Sequence, residues 1–172
     1  GGTANPVSIV ERIGTTLIHP SDFEARFRAS RPAEIVVATY LLNIGHTVTL
    51  PKRRMAKDFA DRAEFADKGD IYASGKRIEV KHIKHDFAYQ AWPFETAAIC
   101  AKKSFDAADP RPDYYYIVNA SMTVAALVDV KTTFPDWRVQ RIVDRERGYD
   151  YDVYAVTPEY LGWRYIDFEE RL

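Results

Sequence analysis

Gly69-Asp70-Ile71-Tyr72-Ala73-Ser74-Gly75-Lys76-Arg77-Ile78-Glu79-Val80-Lys81-His82-Ile83 is the stretch on which the reading of the fold turns. Two short runs, Asp70 to Ala73 and Arg77 to Ile83, flank the glycine-centred turn Ser74-Gly75-Lys76, and this pattern predicts a β-hairpin. Side chains alternate along a strand, so Glu79 and Lys81 share one face while Ile78 and Val80 turn to a core; Ile83 joins them or changes face near a bend. Asp70 opens the first run, and a tight turn at Gly75 brings it back beside Glu79. Two carboxylates at that spacing repel each other unless a cation sits between them. Such an oxygen-rich, charge-dense site suits magnesium, which keeps several waters and binds through one or two carboxylates plus substrate phosphate. The plain alternative for Asp70, Glu79 and Lys81 is a structural ion-pair network.

Upstream, Pro32 to Ile44 has a strong helical pattern: Ser30 can cap it, Pro32 suits its first turn and Gly45 ends it. Glu34 falls on the same helical stripe as Val37, Ala38 and Leu41, a carboxylate in the middle of an apolar face. Burying an unpaired charge costs several kcal/mol, so a residue of this kind is normally paired or metal-linked. A helix packed on the hairpin would aim Glu34 at Asp70 and Glu79, which predicts a shared ion site. The alternative for Glu34 is an ordinary helix salt bridge.

The remaining elements follow from local signals. A helix is expected around Ser21 to Ala29, capped by Ser21 or Asp22, and a strand at Thr47 to Leu50. Lys52 to Lys68 is polar, part helix and part loop. Pro93 opens a second helix running to about Ala107, broken by Asp109-Pro110-Arg111-Pro112. Tyr114 to Val118 and Val124 to Val130 read as buried strands. Trp137 to Val143 and Tyr151 to Val156 form a more polar pair turning near Gly148, and Thr157-Pro158 caps a short final helix. This order predicts an α/β fold, a mixed β-sheet flanked by helices.

The chain of 172 residues reads as one domain, with Gly1-Gly2 the remnant of a trimmed tag. An apolar fraction of 47% beside a charged fraction of 28% excludes a disordered chain. The formal net charge of -1 gives no overall pull toward nucleic acid, so any polyanion site must come from local clustering. Cys100, the single cysteine, excludes an internal disulfide and a cysteine-rich zinc site, and is compatible with the cytoplasmic location expected here. No apolar run approaches the ~20 residues of a membrane span and no signal-peptide pattern opens the chain, so no membrane association is expected.

Taken together, these pieces resemble the PD-(D/E)XK nuclease superfamily, whose fold is restriction-endonuclease-like. The matching residues are Glu34 in Pro32-Ala33-Glu34-Ile35-Val36-Val37, Asp70 in Gly69-Asp70-Ile71-Tyr72, and Glu79-Val80-Lys81. The order of elements is also similar, and the likeness covers roughly Arg31 to Ala108. Gly69 stands where the motif's name has proline. The resemblance implies a metal-dependent deoxyribonuclease, an endonuclease hydrolysing phosphodiester bonds with magnesium, or manganese as its substitute. It implies that Asp70 and Glu79 bind the metal with the Val80 carbonyl, that Glu34 holds a metal water or a second ion, and that Lys81 positions or activates the attacking water. Rival readings are a structure-selective resolvase or repair nuclease, and a catalytically silent domain that binds nucleic acid or protein; a non-nuclease α/β domain would be favoured by a solvent-facing Glu34.

The expected partner is DNA. Lys52, Arg53, Arg54 and Lys57 cluster with no acid among residues 51 to 57, and Lys76, Arg77, His82, Lys84 and His85 flank the proposed site. Such groups would grip phosphates and make binding salt-dependent; the alternative is solvated surface. His82 and His85 lack a third ligand nearby for zinc. Gln90 is a candidate for reaching substrate or water from the start of the second helix. Tyr89 and Trp92 could stack on unpaired bases, though such residues are more often core. A homodimer would suit double-strand cutting, with no dimer surface readable in the sequence.

Overall fold

Residues 32–50, 70–146 and 148–167 are described by the computed structural model of the chain. The expected helix at Ser21 to Ala29, the caps at Ser21, Asp22 and Ser30, and the stretch Lys52 to Lys68 lie outside them. Helix α1 (Pro32–Asn43) is followed by a short strand β1 (Val48–Thr49) and then by the hairpin, β2 (Asp70–Ala73) and β3 (Lys76–His82). The strands pair antiparallel with Asp70 opposite Glu79 and Ala73 opposite Lys76. Ser74 and Gly75 make the turn with φ of 49° and 79°. Two successive left-handed residues give the connection that matches the twist of paired strands, and glycine takes the second without a Cβ penalty.

The chain then departs from expectation. Residues from Pro93 do not open a helix: Ala97–Ala101 is a strand, β4, and only Lys102–Ala107 forms the second helix, α2. Alanines favour helix in isolation, but here Ala97, Ala98, Cys100 and Ala101 ladder against a distant strand, β8 (Tyr149–Val156). Tertiary pairing has overridden local propensity. The buried strands appear where expected, as β5 (Tyr114–Val118) and β6 (Val124–Asp129). A short helix α3 (Val130–Thr133) leads to β7 (Arg138–Asp144), the partner of β8. The final helix is a single 3₁₀ turn, Pro158–Tyr160, and the strand β9 (Gly162–Tyr165) closes the described chain.

The result is a mixed α/β fold, rich in strand, with few helices. Six strands form one sheet in the order β1-β2-β3-β5-β6-β9, and three form a second in the order β4-β8-β7. The join between β3 and β5 is parallel, with Glu79 opposite Tyr115 and Lys81 opposite Ile117. Parallel neighbours need a long crossover, and residues 83–113 supply it.

Each face of the large sheet has its own core. Helix α1 packs on β1, β2 and β3, placing Val37, Ala38 and Leu41 against Ile71, Ile78, Val80 and Tyr116. On the other face Tyr115, Ile117, Ala126 and Val128 meet Ile99, Cys100, Phe105 and Val156 from the small sheet and α2. Ile83 packs with this second cluster, the face it shares by alternation with Glu79 and Lys81, and so does not join Ile78 and Val80. No helix among the described residues is long and apolar enough to cross a membrane.

Candidate active site

Position along β3 assigns the faces. Ile78 and Val80 are buried under α1, so Glu79 and Lys81, which alternate with them, project to the opposite side. Both are half-buried there. The Lys81 ammonium lies 5.9 Å from the ring centroid of Tyr115, within the range in which an aromatic face attracts a cation. Asp70 is described by its backbone, which places it directly across the ladder from Glu79. One row thus crosses three strands as Asp70, Glu79 and Tyr115.

Among the described residues the β2 ladder reaches to this row, with Asp70 and Glu79 its outermost pair, and from Val80 to His82 β3 pairs with β5. Glu34 lies in the other layer, on α1. It is only 7% exposed, in the first turn of α1, where a carboxylate complements the helix dipole. The helix packs on the hairpin as expected, but over Ile78 and Val80 rather than over Lys81.

The floor beneath Glu79 and Lys81 is made by Tyr115 and Cys100, which no local signal marks. Each acts on the other's titration, and the charges of both Glu79 and Lys81 act on the thiol. Burial pushes Cys100 up to about 11, opposed by Tyr115 and by the Lys81 charge. The thiol is therefore protonated at neutral pH and is no nucleophile. Burial also raises the Tyr115 hydroxyl far above the usual tyrosine range, reinforced by Cys100 and Glu79. Both groups are neutral supports. The only sequence clue to Tyr115 is its place in the run Tyr114 to Tyr116; its neighbour across the parallel join cannot be read locally.

The flanking candidates separate. Nε2–H of His82 donates to the Ala120 carbonyl at 3.2 Å, which occupies that nitrogen in holding the turn after β5. Lys84 is exposed, and His85 is exposed with its ring edge-on to Phe94 at 5.4 Å. Lys76 is exposed at the hairpin turn. Arg77 is tied to the approach to β5: its N–H donates to the Asp113 carboxylate at 2.8 Å and its guanidinium to the Pro110 carbonyl. Gln90 is exposed in a turn at φ 56°, not at a helix start. Tyr89 stacks on Tyr165 at 4.4 Å, and the Trp92 indole donates to the Thr96 carbonyl at 3.0 Å, so both rings serve packing. Lys52, Arg53, Arg54 and Lys57 lie outside the described residues.

The donor chemistry can be judged against the metal. Among the described residues no three His, Cys, Asp or Glu side chains gather closely enough to hold an ion by themselves. Asp70 and Glu79, facing each other across the ladder, are the carboxylate positions beside Lys81 that could contribute to holding one. Compared with family models, with curated proteins and with solved structures, the chain matches none of them.

Proposed function

We propose that the chain is a magnesium-dependent nuclease with a restriction-endonuclease-like core, hydrolysing DNA phosphodiester bonds beside Asp70, Glu79 and Lys81. The observation that carries this reading is the register: Asp70 sits opposite Glu79, with Lys81 two residues further along β3 on the same face as Glu79. Asp70, Glu79 and the Val80 carbonyl would hold the ion, and Glu34 would complete the acidic set from the neighbouring layer. Bound there, magnesium would neutralise charge on the phosphate and ease formation of hydroxide from water near neutral pH. Lys81 is a compact, mobile cation suited to orienting the attacking water and meeting the phosphoryl oxygen. The Tyr115 ring beneath it restricts where the ammonium can go. The sequence cluster Lys52, Arg53, Arg54 and Lys57 would supply phosphate grips, since the net charge of -1 provides no general attraction.

Supercoiled plasmid incubated with magnesium should be nicked or degraded, and EDTA should stop the reaction. Lys81→Ala and Asp70→Asn should each reduce the rate by orders of magnitude, with unchanged circular dichroism and retained DNA binding. Full cutting by both variants would move the chemistry elsewhere. Arg53→Ala combined with Arg54→Ala should weaken binding and lower the slope of log affinity against log salt by about two. An unchanged slope would remove these arginines from the interface.

A further inference from the structure

β7 is an edge strand. It pairs with β8 along its whole length and, among the described residues, with no strand on its other side. The β7–β8 hairpin also outruns its sheet: β4 meets β8 only from Val153 to Val156, so the part from Arg141 to Asp152 stands as a two-stranded ribbon. Val139 and Val143 are 53% and 62% exposed on one face of it. A free, extended edge is a template for another strand, and proteins that stay monomeric commonly blunt theirs with lysine, proline or a bulge. β7 contains no lysine, no proline and no register shift. Its charges are of opposite sign at its two ends.

That distribution is self-complementary. Set Arg138-Val139-Gln140-Arg141-Ile142-Val143-Asp144 against its own reverse, centred on Arg141. Arg138 then faces the second copy's Asp144, and Val139 faces the second copy's Val143. A two-fold axis makes each of these pairs twice, and directly opposed residues of opposite charge or matching apolar shape stabilise an antiparallel pair. The only like-charged contact is Arg141 with its own copy, and each Arg141 already has an Asp152 carboxylate at 3.5 Å on β8. Sliding the register by two residues either way loses the Arg138–Asp144 pairs and sets Arg141 opposite a valine. The pattern therefore selects one alignment.

We propose that β7 pairs antiparallel with β7 of a second copy of this chain, joining the two small sheets into one across a two-fold axis at Arg141. The occupant is a second copy rather than another protein because the edge's own charge pattern supplies the complement. This inference stands apart from the nuclease reading and is tested without any cleavage assay. In sedimentation analysis over the micromolar range the chain should be a reversible dimer. Asp144→Arg, which sets arginine against arginine twice, should weaken the dimer about tenfold. The swap Arg138→Asp with Asp144→Arg should restore it. Under mild oxidation, a Val139→Cys chain mixed with a Val143→Cys chain should form a cross-linked heterodimer more readily than either chain alone. A monomer at every concentration overturns the proposal. So does an Asp144→Arg variant that dimerises unchanged, a folded swap variant that stays monomeric, or a mixture that cross-links no better than its components.

Discussion

The hairpin at Gly75 and the hairpin at Gly148 are made from the same parts: alternating strands joined by a glycine of positive φ, 79° in the first and 75° in the second. Their surroundings differ. The first is inserted in the large sheet, with α1 over one side and a parallel neighbour beyond β3, so Ile71, Ile78 and Val80 are buried and Lys81 lies over Tyr115. The second runs off the edge of the small sheet, and every side chain of β7 keeps contact with water. Similar local chemistry thus yields a rigid shelf for polar groups in one place and an available surface in the other. Neighbours decide which.

Four measurements can break or sharpen that contrast. The largest effect belongs to Glu79→Gln, which should slow magnesium-dependent cleavage on the order of a hundredfold or more, whereas Ile142→Ala on the second hairpin should leave the rate per site unchanged. Equal losses would mean that the first hairpin holds no site. Next comes Ile78→Ala, a truncation at 3% exposure that should lower unfolding stability by about 2–5 kcal/mol in a denaturant titration.

Buried groups on the two faces of the large sheet should also make the fold sensitive to alkali. Cys100 titrates at about 11 in the fold against 9.0 as its ordinary value, and Tyr116 at about 12 against 10.0, both through burial. A group whose pKa is raised by folding stabilises fully below its unfolded value and loses that stabilisation as pH climbs to the folded one. Denaturation midpoints should therefore fall from about pH 9 upward through about 11, and Cys100→Ala should remove part of the fall; a flat profile over that range would contradict the burial of both groups. The smallest effect is expected for Val143→Ala, within about 0.5 kcal/mol of the parent in a dilute solution of monomer. A loss there as large as that of Ile78→Ala would erase the distinction between the hairpins.

What could be read from the residues follows the range of the forces involved. The Gly75 turn, the alternation of Ile78 and Val80 with Glu79 and Lys81, and the inward turn of Glu34 on the stripe of Val37, Ala38 and Leu41 are all local patterns, and each is present. The Gly148 hairpin was legible for the same reason. Ala97–Ala101 was not, because its strand state depends on β8, more than forty residues further along the chain. The placement of Glu34 in a different layer from Lys81, and the support of the site by Tyr115 and Cys100, likewise rest on the β3–β5 join and on which face α1 covers. Periodicity says which side of an element is buried, not what buries it.

The parallel join of β3 to β5 also sets a timetable. A hairpin can close within microseconds from neighbouring residues, but β5 must be brought back across residues 83–113 before Tyr115 lies beside Glu79. Closing so long a loop is entropically unfavourable until the ladder forms, which makes non-local pairing the slow part of folding. A nascent chain would therefore own its acidic residues and its lysine well before it owned the tyrosine beside them, and the full arrangement would arrive with the second half of the molecule rather than with the motif.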